Sequence, residues 1–188
     1  MIERRRRPRL SFASVNRPGS RGFRADYQRH HLLPLQLLST GSLTSMIAHL
    51  GRGRIGFDDF RSNGMLLPAS EALAAETGFP LHRGPHHDYN RVVIARVGRI
   101  EEAWSRARLR QPDYAHMQAL MQLSLLQRTL RRRMLQPGQR AIALNRRDPA
   151  LRSDGFEGLD AMADTLWQDF ELLPAPGQSM SESALAAS

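Results

Sequence analysis

Apolar side chains recur every three or four positions between residues 35 and 50, at Leu35, Leu38, Leu43, Ile47 and Leu50. That spacing predicts a short amphipathic helix, interrupted at Gly41. Gly51, Gly53 and Gly56 mark a loop, and the run Met65-Leu66-Leu67 predicts a short buried strand entered through a turn at Ser62-Asn63-Gly64. Ser70 followed by Glu71 opens a further short helix, closed by Gly78 and Pro80. A long helix is expected over residues 85–108. Pro85 suits its first turn, and Val92, Val93, Ala95, Val97, Ile100 and Trp104 lie on or near its apolar face. Pro112 breaks it, and a second long helix follows over 113–136, carrying Tyr114, Met117, Leu120, Met121, Leu125 and Met134. Met162, Leu166, Trp167 and Phe170 predict a third, shorter helix over 159–172. No internal repeat is visible. The pattern points to an α+β chain that is mostly helical.

The two ends lack such a pattern. Residues 1–24 are rich in Arg, Pro and Gly, and residues 174–188 are Pro, Gly, Ser and Ala with almost no large side chains. Neither end buries enough apolar surface to offset the entropy of ordering it, so both are expected to be flexible tails. Residues 25–110 then form the core and 111–173 a helical extension.

Charge narrows the partners. The 188 residues carry a formal net charge of +9, and every basic side chain except histidine is Arg. Such an excess attracts polyanions and weakens with salt, which favours a nucleic-acid partner. The runs Arg4 to Arg7 and Arg131-Arg132-Arg133 are either backbone-binding surface or solvated charge. Without cysteine there are no disulfides or thiolate metal sites, so any metal falls to His, Asp, Glu, Asn or backbone oxygens. No apolar run approaches the length of a membrane span, and no apolar segment follows the basic start as in a signal peptide. The expected location is the cytoplasm, with export by a specialised secretion route left open.

The histidines carry the chemistry. Five of the seven fall into two clusters, His30-His31 and His82, His86, His87, while His49 and His116 are read as background. Neutral imidazole is the commonest protein ligand for transition metals, and His82 and His86 are close enough in sequence to converge on one ion. Neighbours on an extended strand point to opposite sides. His30 and His31 are therefore expected to divide the work, one at a metal and the other at substrate.

The strings RHHLLP (residues 29–34), SNGMLLP (62–68) and LHRGPHHDYN (81–90) together resemble the AHH nucleases of the HNH/endonuclease VII superfamily. The similarity covers roughly residues 27–104, with one departure: Arg29 stands where the family's name records Ala. The resemblance implies a ββα-metal core, a β-hairpin plus helix clasping one divalent ion (Mg, Zn, Mn or Ni). It implies hydrolysis of phosphodiester bonds, in DNA before RNA. His31 would be the general base, and His30, His86 and His82 the metal ligands. Asn63 would orient the base-bearing loop or help to hold the metal, with a plain turn residue as the alternative. Tyr89 would either donate to phosphate or pack beside the hairpin, and Arg83 and Arg91 could clamp a phosphate oxygen. His87 should point elsewhere. Two other readings stand beside this one. In the first, a non-catalytic nucleic-acid-binding protein uses the same histidines for a structural metal. In the second, a toxin nuclease is regulated by an immunity protein, since the family includes toxins.

Overall fold

A computed structural model describes residues 8–136, 144, 148 and 149. These fall within the first of the chain's two units, Met1–Gly155; the second, Phe156–Ser188, lies outside the described residues. So do the helix expected over 159–172, the C-terminal tail, and Arg4 to Arg7.

Two strands, β1 (Tyr27–His31) and β2 (Gly64–Pro68), pair antiparallel, with Tyr27 opposite Pro68 and His31 opposite Gly64. Between them run a 3-10 turn (Leu35–Ser39) and three helices, α1 (Gly41–Leu50), α2 (Arg52–Ile55) and α3 (Phe60–Asn63). After β2 come α4 (Glu71–Thr77), α5 (His87–Ala107) and α6 (Pro112–Met134). The chain is α+β and mostly helical, as the apolar pattern implies.

Local chemistry accounts for most of the boundaries. The interruption at Gly41 becomes a change from 3-10 to α geometry, and α1 buries Leu43, Met46, Ile47 and Leu50. The Ser70 hydroxyl accepts from the Leu73 N–H to cap α4, and Gly78 ends it with φ +68°, a left-handed conformation that glycine adopts without steric cost. Pro112 occupies the first turn of α6, where its missing N–H costs no hydrogen bond. Arg131, Arg132 and Arg133 sit in its last turn, the end favourable to cations. No described helix is long and apolar enough to cross a membrane.

Helices α5 and α6 pack against each other, α1 packs on α5, and α2 and α3 pack on α6. The core between them takes Val93, Val97 and Ile100 from α5 and Ala115, Ala119, Leu123 and Leu130 from α6. Fully burying the Val, Ile and Leu side chains among these is worth about 1.5–3 kcal/mol each. Leu32 and Leu33 after β1, Leu37 in the 3-10 turn and Leu67 in β2 are fully buried as well. Thus α6, set apart by sequence as an extension, packs directly behind the segment that carries Asn63.

Two local expectations are corrected. Ser62-Asn63-Gly64 is not a turn between elements, since Ser62 and Asn63 end α3 and Gly64 begins β2. Asn63 is the last residue of α3 and wholly buried, because its side chain has backbone partners that an open turn lacks. The described part of the basic N-terminal segment is also tied down. The Leu10 N–H donates to Asp59 Oδ1 at 3.0 Å, the Phe60 N–H donates to the Leu10 carbonyl at 2.7 Å, and Ser11 bridges Asp59. Polar backbone pairing, which leaves no apolar period, holds this stretch.

Candidate active site

Three histidines converge beneath β1. Strand alternation turns His30 inward, where it is 3% exposed, and Gln28 lies two residues back on the same side. The His82 N–H donates to the Pro68 carbonyl at 2.7 Å, which ties the loop before α5 to the end of β2. His86 is the N-cap residue of α5, just outside the first turn in which it was expected. One ligand nitrogen from each of His30, His82 and His86 lies within 4.8 Å of the others. Ring centroids are 5.1 Å apart for His30–His82, 5.6 Å for His30–His86 and 4.6 Å for His82–His86.

The hydrogen-bond pattern fits a metal. His82 Nδ1 is 2.9 Å from Gln28 Oε1 and His86 Nδ1 is 3.3 Å from the Leu144 carbonyl. An imidazole that donates from Nδ1 carries its proton there and presents an Nε2 lone pair, the arrangement usual for metal-bound histidine. His30 Nε2 is buried without a hydrogen-bond partner, which is costly unless something else meets it. Nitrogens on one tetrahedral ion at about 2 Å would stand roughly 3.3 Å apart, so small side-chain rotations suffice to close the trio. The donor set therefore fits one divalent ion.

Electrostatics keeps the trio in its ligand form. Burial holds His30 well below the usual histidine range, and the neighbouring His82, His86 and His31 add to the effect. Burial and then His86 push His82 down to about 4. His86 is lowered by burial, partly offset by the Leu144 carbonyl.

His31 leaves the strand on the other side and is half-buried. Its imidazole stacks on the ring of Phe12, with centroids 3.7 Å apart and planes 3° from parallel. Burial lowers its pKa; Asp58 works against this and Arg29 adds to it.

Asn63 fastens the strand end that carries both histidines. Its Oδ1 accepts from the Leu33 N–H at 2.7 Å and from Gln127 Nε2 at 3.4 Å, and its Nδ2 donates to the Leu33 and Phe57 carbonyls at 3.2 and 3.0 Å. Its own carbonyl accepts from the Leu32 N–H at 2.8 Å. Every side-chain lone pair and proton of the amide is thereby used. Asn63 can orient this segment but has no lone pair left for a metal.

Tyr89 is 1% exposed, and its hydroxyl donates to the Leu32 carbonyl at 2.6 Å. Burial pushes its pKa up. The packing alternative describes it, and the phosphate-donor alternative is corrected, because the hydroxyl is spent beneath the strand. Arg83 and Arg91 are both exposed, Arg83 on the His82–His86 loop and Arg91 in α5, 3.5 Å from Asp88. His87 is exposed and is not among the three converging histidines.

Three participants were missed by sequence. Gln28 was detectable, since a period of two places it on the face of His30. The Leu144 carbonyl and Phe12 gave no local signal.

No curated protein and no solved structure is similar to the chain at a significant level. One family model does match, over residues 12–130, well beyond the three motif strings and over more than half the chain. It describes a nuclease family of the HNH/ENDO VII superfamily with conserved AHH. With the histidine trio and the paired strands in place, the chain belongs to this AHH nuclease family.

Proposed function

We propose that the protein is a metal-dependent endonuclease that hydrolyses phosphodiester bonds in DNA, with His31 as general base and one divalent ion held by His30, His82 and His86. The observation that carries this reading is the convergence of three imidazoles, one of them on His30, the residue that precedes His31 in β1. Bound there, the ion would supply Lewis-acid stabilisation of charge on the phosphate and the leaving oxygen. Three neutral imidazoles suit Zn²⁺, Ni²⁺ or Mn²⁺ better than Mg²⁺, which prefers oxygen ligands. Three protein ligands are also the usual number where a fourth position stays open for chemistry, whereas structural sites are closed by four.

Burial lowers the pKa of His31, which favours the neutral imidazole that can accept the proton of an attacking water. Asn63 and Tyr89 act through the backbone: they pin Leu33 and Leu32 and so fix where β1 ends. Arg83 and Arg91 are exposed and could take phosphate oxygens; the ion pair of Arg91 with the solvent-exposed Asp88 is weak enough to exchange.

The test is cleavage of plasmid, single-stranded DNA and RNA with EDTA and with a panel of divalent ions. Wild-type protein should cut DNA with at least one ion and stop in EDTA. H31A should lose activity roughly 10²- to 10⁴-fold while still binding the ion. No cleavage by wild type with any ion overturns the nuclease reading, and metal binding without cleavage would leave a structural site.

A further inference from the structure

The described N-terminal segment makes contacts that an unattached tail would not. Ser11 caps the 3-10 turn Phe12–Ser14, and Leu10 and Ser11 are paired to Asp59 and Phe60. Arg29, the residue that departs from the family's Ala, donates from Nη1 to the Phe12 carbonyl at 2.7 Å. The turn delivers the Phe12 ring flat onto His31 at 3.7 Å. The Phe60 ring meets Phe12 edge-on at 5.1 Å, with planes 75° apart. Gly64, opposite His31 in the strand register, makes room for Phe60, since a Cβ there would lie 2.2 Å from Phe60 Cδ2. Two rings from separate parts of the chain are therefore layered behind the imidazole, Phe12 against it and Phe60 against Phe12.

We propose that Phe12 is a positioning residue for His31, its flat ring holding the imidazole in the plane that general-base chemistry needs, and that Arg29 helps to keep it there. The inference rests on His31 being the base. The reason is geometric. The imidazole torsion χ2 has broad wells, so an unsupported ring at a strand end samples a wide range of tilts. A parallel aromatic surface at contact distance removes the intermediate tilts. Misplacement of a reacting group by about 1 Å can cost on the order of 100-fold in rate. Phe12 carries no charge or hydrogen-bonding group, so its effect passes through His31 and should fall on turnover, with substrate affinity unchanged.

The experiment compares wild type, F12A, F12L and F12Y in steady-state DNA cleavage, with thermal melting and metal titration as parallel readouts. F12L keeps apolar bulk without a flat face, and F12Y keeps the face. F12A and F12L should lose roughly 10- to 100-fold in kcat, with KM changed less than about threefold and metal affinity unchanged; F12Y should recover most of the loss. If F12A fails to fold, F12L carries the comparison. Turnover in F12L equal to wild type, or a loss confined to KM, overturns the inference and leaves the nuclease reading standing. An inactive wild type overturns both.

Discussion

Two places in the molecule bring histidines together, and both contain a buried Nε2 without a hydrogen-bond partner: His30 in one and His116 in the other. The surroundings differ. His30 faces two further imidazoles whose ligand atoms lie within 4.8 Å, and those of His82 and His86 are oriented by Gln28 and the Leu144 carbonyl. His116 is half-buried, and its neighbour His49 is exposed, 6.1 Å away, with its ring against Trp104. Among the described residues, His30, His82 and His86 form the one group of three metal-capable side chains. An orphan nitrogen is thus a weak indicator of a site. Convergence of several nitrogens, two of them on rings whose second nitrogen is fixed, is a strong one.

The contrast can be broken most directly by removing one orphan at a time. H30A should weaken binding of Zn²⁺ or Mn²⁺ by more than about 100-fold, beyond the 10- to 100-fold typical of losing an outer partner, and should abolish cleavage. H116A should leave both within about threefold of wild type. Thermal melting provides a second check. Ion at 100 times Kd should stabilise wild type and H116A by about 2.7 kcal/mol and leave H30A unmoved. Equal responses from H30A and H116A would erase the distinction.

Next in size is Asn63, the support for the histidine-bearing strand. N63A leaves the buried N–H and carbonyl of Leu33 without side-chain partners. It should cost about 2–4 kcal/mol in chemical denaturation. A loss under 1 kcal/mol would mean that the strand end is held by other contacts.

The smallest expected effect is acid sensitivity of the metal-free protein. The folded-state pKa values of His30, His82 and His86 all lie below the ordinary 6.5, so the unfolded chain takes up protons first as pH falls. Stability from this cluster is therefore full above pH 6.5 and declines from there towards pH 4, the value for His82. Melting in EDTA should show that decline, with a shallower slope in H82A. An identical slope in H82A would mean that its protonation is not linked to folding.

Much of this was legible in the chain. The apolar period located α1, α5 and α6, and Ser70 and Gly78 bracketed α4, because caps and periodicity are local properties. Strand alternation separated His30 from His31 for the same reason. Less legible were contacts between distant segments. Asn63 looked like a turn residue until Leu33, Phe57 and Gln127 closed around its amide. Tyr89 kept two options until its hydroxyl was found beneath Leu32.

The sequence by itself determined the helical class and the residue types able to hold a metal, since these follow from spacing and side-chain chemistry. The family rested on the resemblance of its motif strings and the family-model match. Only the tertiary structure decided that His30, His82 and His86 meet, that Asn63 is spent on backbone, and that Phe12 lies on His31. Those outcomes depend on pairing between residues far apart in the chain, and burial sets them by closing off water as the alternative partner.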